Sequence, residues 1–160
     1  MNSKKNTYLR EITLNYKFKQ VDSKVIDSSA TDPKTIVQMF SDLQNETKEK
    51  FIAISIDARN KIICYEVVAI GSVNAVYLRP GEVVRTAVMV NATGIIVVHN
   101  HPSGDPEPSR EDLIFTHELK EGAKFLGIEL YDHIIIGIED YFSFAEKGIL
   151  FTLNKHKKSP

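Results

Sequence analysis

Two histidines and an aspartate have the spacing of a metal site. His99 and His101 follow an apolar run, Ile95–Val98, which predicts a buried strand. Side chains alternate along a strand, so both imidazoles are expected on one face, where they could bind one ion. Asp112 comes eleven residues after His101, in the first turn of a helix that Ser109 is expected to cap. Two histidines and one carboxylate leave a fourth tetrahedral position open, which is typical of catalytic zinc.

The specificity of this prediction comes from the whole pattern. A lone His-x-His pair is more often a pair of structural strand-end histidines. Here it continues as His-x-His-Pro, six further residues and Ser-x-x-Asp, after a buried strand and into a capped helix. Zinc in such a site would lower the pKa of a bound water to about 7. Ser109 would lie near enough to hydrogen-bond that water or an oxyanion.

The elements that must position these residues alternate between helices and strands. Asp32-Pro33 predicts the start of a helix over 33–48. The remaining apolar periodicities predict strands at 51–57 and 62–70, a helix at 80–91, a strand at 95–98, a helix from Ser109 to about 125 and a strand at 128–137. Residues 141–153 are expected to form a last strand or a short edge. This order predicts an α/β domain with a mixed β-sheet flanked by helices.

The domain is expected to occupy residues 33–153. Residues 1–32 are predicted to form an extended arm or strand and a linker, because Ile12, Leu14, Tyr16 and Phe18 alternate with polar residues. The strand predicted over 7–18 could pair with a partner edge, which would give a homodimer. Residues 154–160 are expected to be a disordered basic tail.

The composition is that of an ordinary globular protein. The net charge of −1, from 20 basic and 21 acidic residues, disfavours strong direct DNA binding. The single cysteine, Cys64, excludes an intrachain disulfide and a cysteine-based zinc finger. Neither a signal peptide nor a membrane span is apparent, so the cytoplasm is the expected compartment.

The stretch His99-Asn-His-Pro-Ser-Gly-Asp-Pro-Glu-Pro-Ser-Arg-Glu-Asp112 resembles the JAMM motif of the JAB/MPN metalloproteases, and its first six residues resemble the signature of the RadC branch. Further likeness is carried by Gly71-Ser72-Val73, Pro80–Val84, Asp132–Gly137 and Tyr141–Phe144. The resemblance covers about two-thirds of the chain, roughly residues 49–150. It implies a JAB/MPN, cytidine-deaminase-like metalloprotease fold with zinc bound by His99, His101 and Asp112.

Two departures from the family pattern qualify this likeness. Gly81 stands where the family usually has arginine. Long RadC proteins carry an N-terminal helix-hairpin-helix region, for which residues 1–32 are too short. The chain is therefore expected to be a short form with the JAB domain alone, and duplex DNA binding is in doubt.

The resemblance also implies a glutamate that acts as general base, near the end of the first helix and before the first strand. Glu49 occupies that place, although Glu46 and Glu49 could equally be solvated charges at a helix end. Glu82 and Glu66 are the alternatives; Glu82 is expected to cap the second helix, and Glu66 to face solvent. His133 is expected to be a hydrogen-bonded structural histidine, with a role behind a metal ligand as the alternative. Asn100 is expected to point away from the metal and to tie down the loop.

Three functions are compatible with these residues. The first is a zinc-dependent peptidase or isopeptidase of the JAMM type, linked by the family resemblance to DNA repair and DNA-repair partners. The second is a DNA-processing factor or nuclease. The third is a non-catalytic metal-binding interaction module, which the intact ligand pattern disfavours.

Overall fold

The computed structural model describes residues 11–20, 32–71 and 78–152. The helices are α1 (Pro33–Met39), α2 (Pro80–Met89), α3 (Arg110–Phe125) and α4 (Ile149–Thr152), with a 3₁₀ helix at Ser41–Asn45. The strands are β1 (Lys50–Ile56), β2 (Ile62–Ile70), β3 (Gly94–Asn100), β4 (Glu129–Ile136) and β5 (Tyr141–Ser143).

The strands form one mixed sheet in the order β2-β1-β3-β4-β5. β1 pairs antiparallel with both β2 and β3, and β5 pairs antiparallel with β4. β3 and β4 are parallel, so the chain must cross between them, and α3 makes that crossing. The predicted α/β class and the mixed sheet are confirmed.

Apolar side chains cover both faces of the sheet. On one face, β-strand residues such as Phe51 and Val97 pack against α2 and α3. On the other face, residues such as Ile54 and Val98 pack against α1 and the 3₁₀ helix. Because side chains alternate along β3, His99 shares the α3 face with Val97, and Asn100 points to the opposite face. This alternation decides which helix can reach His99.

The loop after β3 is held against the turn after β4. The amide of His101 donates to the Ile136 carbonyl at 3.0 Å, and the amide of Ile138 donates to the Gly104 carbonyl at 3.1 Å. Gly137 lies under this loop, and a Cβ at that position would come within 2.4 Å of the Gly104 carbonyl oxygen. The close approach fixes the path of the chain that carries His101.

Two predicted elements end earlier than the sequence pattern indicated. The helix predicted over 33–48 is wrong beyond Met39, where Phe40 leaves helical geometry and the chain tightens into the 3₁₀ helix. Phe40 and Leu43 are both buried, because residues three apart lie on the same side of a 3₁₀ helix. Apolar spacing therefore did not distinguish the two helix types.

Of the last strand or short edge predicted over 141–153, only the short edge forms, as β5, and the strand ends at Ser143. Asp132, buried in β4, accepts hydrogen bonds from the Ser143 hydroxyl at 2.6 Å and the Ala145 amide at 2.9 Å. These bonds draw the chain into a turn that leads to α4. Burial raises the pKa of Asp132 to about 6, against the opposing effect of its hydrogen-bond donors.

The predicted N-terminal strand does not form over the described residues 11–20, which have no strand pairing and are exposed. Ile12 and Phe18 are 82% and 97% exposed. Residues 14–19 line a cavity together with Met39, Phe40 and residues of β2, but Leu14 and Tyr16 stay 50% and 54% exposed, so alternation did not lead to strand pairing here. Residues 1–10, 21–31, 72–77 and 153–160 lie outside the described residues, including the predicted basic tail and Ser72-Val73 of the family resemblance. Among the described helices, none is long and apolar enough to cross a bilayer.

The contact beneath Gly137 can be tested by adding one methyl group. Gly137→Ala is expected to lower the free energy of unfolding by about 1–3 kcal/mol, because the Cβ would displace the Gly104 loop. Gly81→Ala is the matched control, since Gly81 lies in α2 and a Cβ at that position would meet no atom within 4 Å. The control is expected to be neutral or stabilising by up to about 1 kcal/mol. Urea unfolding measures both, and equal stabilities would contradict the contact.

Candidate metal centre

The two histidines converge at the carboxyl end of β3. His99 is fully buried in the strand, and His101 is half-buried just after it. Their Nε2 atoms lie 3.0 Å apart. The Nδ1 atom of His101 lies 2.8 Å from the Asp105 carbonyl oxygen. Because a carbonyl only accepts, Nδ1 of His101 carries a proton, and Nε2 is the nitrogen available for a metal.

Asp112 approaches the histidines from the first turn of α3. Its Oδ1 lies 3.4 Å from Nε2 of His99, and its Oδ2 lies 3.5 Å from Nε2 of His101. Ser109, the N-cap residue, donates to Oδ2 through its amide at 2.8 Å and its hydroxyl at 2.5 Å. In return the Asp112 amide donates to the Ser109 hydroxyl oxygen at 3.1 Å, which completes a reciprocal capping box.

The capping box defines what Ser109 does in this structure. Its hydroxyl proton is directed to Asp112, so Ser109 fixes the orientation of that carboxylate. The predicted contact of Ser109 with a water or an oxyanion stays a prediction.

Glu49 completes the cluster from the chain entering β1. Its Oε1 lies 3.8 Å from Nε2 of His99, and its side chain is 18% exposed. Asn100 holds this segment on both sides of Glu49, since it accepts from the Lys50 amide at 2.8 Å and donates to the Lys48 carbonyl at 3.2 Å. Asn100 does point away from the metal ligands, but it ties down the start of β1 rather than the loop after β3.

The distances fit a tetrahedral ion. Zinc bonds of about 2.0–2.1 Å at tetrahedral angles separate the ligand atoms by about 3.3–3.4 Å. The two nitrogens, at 3.0 Å, and the Asp112 contacts, at 3.4 and 3.5 Å, lie close to this value. Ligand-type atoms of Glu49, His99 and His101 also lie within 4.8 Å of one another. The cluster thus offers three or four possible ligands, of which Asp112 lies nearer to the His99 nitrogen than Glu49 does.

Burial and neighbouring polar groups shift the pKa values of the residues at this site. Burial, with the neighbouring histidines, holds the pKa of His99 well below its usual value. A hydrogen bond with Asp112 raises the pKa of His101. Burial acts to raise the pKa of Asp112, but hydrogen bonds from His101 and Ser109 outweigh it, so this pKa falls well below its usual range. An ionised carboxylate beside a neutral buried imidazole is the donor set that a divalent metal requires.

The two alternative candidates for the general base, Glu82 and Glu66, contact residues away from the histidines. Glu82 accepts from the Arg79 amide at 3.1 Å and caps α2, as predicted. Glu66 contacts α2 through Arg85, at 2.7 Å, and through Thr86. Neither belongs to the cluster around His99, in which Glu49 is the glutamate that the structure brings together with the predicted ligands.

Sequence reasoning missed one residue that contacts this site, Thr116. His133, on β4, is fully buried, and its Nε2 lies 2.8 Å from Nδ1 of His99. Its Nδ1 lies 2.6 Å from the Thr116 hydroxyl, which in turn lies 2.5 Å from the Asp112 carbonyl oxygen. The prediction of a hydrogen-bonded histidine is confirmed. The four-residue spacing of Asp112 and Thr116 on a helix was the signal available for Thr116.

Comparison with known proteins points to one family. Residues 30–149 match the family described as RadC-like JAB domain. A UPF0758 protein of Methanosarcina mazei is 47% identical over 123 residues, which are 77% of this chain and 53% of the relative. A UPF0758 protein of Aquifex aeolicus is 42% identical over 139 residues, 87% of this chain and 59% of the relative.

A third relative, a UPF0758 protein of Streptococcus suis, is 44% identical over 111 residues, 69% of this chain and 45% of the relative. The chain thus spans about half the length of the curated relatives it matches. The five-stranded mixed sheet with its flanking helices is consistent with a JAB/MPN fold. On the match over residues 30–149, the chain belongs to the RadC-like JAB domain family.

Proposed function

We propose that this domain is a zinc-dependent hydrolase that cleaves amide or isopeptide bonds. The observation that carries the proposal is the convergence of His99, His101 and Asp112 from two elements, with contacts of 3.0, 3.4 and 3.5 Å between their ligand-type atoms. Family membership supports the same chemistry, since JAB domains are often metallohydrolases.

In this proposal Asp112 is the third ligand and Glu49 is the general base. Asp112 has both oxygens within 3.5 Å of a histidine nitrogen, whereas Glu49 lies 3.8 Å from His99. Three protein ligands leave an open position, as hydrolysis requires. A zinc ion in this site would acidify a water and polarise the scissile carbonyl.

The protein groups around that position have separate tasks. Glu49 takes a proton from the attacking water at its carboxylate and delivers it to the leaving amine. Asn100 fixes the backbone on both sides of Glu49, so the carboxylate stays in reach of the open position. Ser109 prevents Asp112 from rotating away, because it donates to Oδ2 twice. Homodimer formation, DNA-repair partners and an association with DNA repair stay predictions.

The assignment of ligand and base predicts different metal affinities for two variants. Asp112→Asn is expected to lose more zinc affinity than the roughly 10–100-fold that removal of an outer hydrogen-bond partner costs, because a charged ligand is lost. Glu49→Gln is expected to bind zinc with the wild-type stoichiometry of one ion per chain and a similar affinity. Competition with a chromophoric chelator measures the affinity, and mass spectrometry of the native protein measures the stoichiometry.

Glu107→Gln is the matched control for the charge change, since Glu107 is exposed in the loop after β3. Loss of zinc in Glu49→Gln together with its retention in Asp112→Asn would contradict the assignment and make Glu49 the ligand. Absence of zinc binding in the wild type would overturn the proposed function.

The catalytic part of the proposal predicts amide hydrolysis by the zinc-loaded protein. A panel of fluorogenic peptides and lysine-isopeptide conjugates is expected to include a substrate that the wild type cleaves. Glu49→Gln is expected to lower kcat by about 10²–10⁴-fold with zinc still bound, because proton transfer is lost. Full activity of Glu49→Gln on that substrate would rule out Glu49 as the base, and no cleavage across the panel would count against a peptidase.

A further inference from the structure

A line of hydrogen bonds joins His99 to the helix that carries Asp112. It runs from Nδ1 of His99 to His133 at 2.8 Å, from His133 to the Thr116 hydroxyl at 2.6 Å, and from Thr116 to the Asp112 carbonyl at 2.5 Å. His99, His133 and Thr116 all have 0% exposure. Bulk solvent therefore does not reach these groups, and each of them has its hydrogen-bond partner in the next residue of the line.

The Asp112 carbonyl, at the end of this line, determines which group donates in each hydrogen bond. The Asp112 carbonyl has no proton, so the 2.5 Å contact requires the Thr116 hydroxyl to donate its single proton there. The Thr116 oxygen is then an acceptor towards His133, and Nδ1 of His133 must carry a proton. Reversal would place the Thr116 and Asp112 oxygens 2.5 Å apart with no proton between them.

The same reasoning extends to His99. His133 is fully buried and its ring stacks on Phe144, and such surroundings disfavour a charged imidazole, so His133 is neutral and carries one ring proton. With that proton on Nδ1, Nε2 of His133 has a lone pair and accepts from Nδ1 of His99. Nε2 of His99 is left unprotonated, and it is the atom that lies 3.0 Å from His101 and 3.4 Å from Asp112.

We infer that Thr116 and His133 are positioning residues that fix His99 in the tautomer with an unprotonated Nε2, and so prepare it to bind the metal. This inference rests on the proposed metal site. Outer partners of metal-binding histidines commonly have this effect, through a carboxylate or a carbonyl. Here a second histidine takes that position, and its own orientation is set by a threonine one helical turn after Asp112.

The test is the ring-proton position of His99 in the metal-free protein, measured by two-bond proton–nitrogen correlation spectra of ¹⁵N-labelled protein. Wild type and Thr116→Ser are expected to show protonated Nδ1 and unprotonated Nε2, since serine keeps the hydroxyl. Thr116→Val removes the hydroxyl at nearly constant volume, and His133→Phe removes both ring nitrogens. Both are expected to shift population to the other tautomer. His133→Phe keeps the ring that stacks on Phe144 at 4.9 Å.

Zinc affinity gives a second, independent readout. Thr116→Val and His133→Phe are expected to bind zinc about 10–100-fold more weakly than wild type, and Thr116→Ser close to wild type. Circular dichroism and urea unfolding check that each variant is folded; if His133→Phe does not fold, the Thr116 pair decides.

Two results would overturn the inference: a wild-type His99 protonated at Nε2, or the same His99 tautomer in Thr116→Val as in wild type. A wild type that binds no zinc would overturn the proposed function instead, and the spectra of the metal-free protein would still decide the tautomer.

Discussion

The structure depends on a close contact between two nitrogens, Nε2 of His99 and Nε2 of His101, at 3.0 Å. Nδ1 of His101 donates a hydrogen bond to the Asp105 carbonyl, and Nδ1 of His99 faces His133. Two lone pairs that face each other at this distance would repel, so either a cation or a proton on Nε2 of His101, whose pKa the neighbouring Asp112 raises, must separate them. The surrounding elements hold these metal-ligand atoms close together, as a preorganised cation site requires.

The parts of this arrangement that depend on local sequence patterns could be predicted from the sequence. Alternation in β3 placed His99 on the face that α3 covers, and the helix boundary at Ser109 placed Asp112 in the first turn. Both follow from local rules, because strand periodicity and helix capping are decided within a few residues. The α/β class followed from the order of elements for the same reason.

The parts that could not be predicted depend on pairing between distant segments. His133 meets His99 only because β4 pairs in parallel with β3 in a register that sets Ile135 beside His99, and no local pattern fixes that register. Asn100 reaches the segment around Glu49 because β1 pairs with β3 and sets Phe51 beside His99. The helix expected over 33–48 was wrong because its local pattern is ambiguous. Ile36, Phe40 and Leu43 fit the apolar face of an α-helix or of a 3₁₀ helix, and the 3₁₀ form follows Met39 in the packed structure.

Asp112 is held at two points, and this links the histidine on β3 to the carboxylate on α3. Its side chain contacts Nε2 of His99 directly, and its backbone carbonyl is joined to the other side of the same imidazole through Thr116 and His133. The path forms a closed ring, so a shift of α3 along β3 would strain the carboxylate contact and the hydrogen-bond line together. The contact between Nε2 of His99 and the carboxylate joins two acceptors, so a cation between them would complete the ring and satisfy all of its members. The position of a carboxylate relative to an imidazole is thereby set by the core between a strand and its crossover helix, and the loop of residues 102–108 need only bring the two elements together.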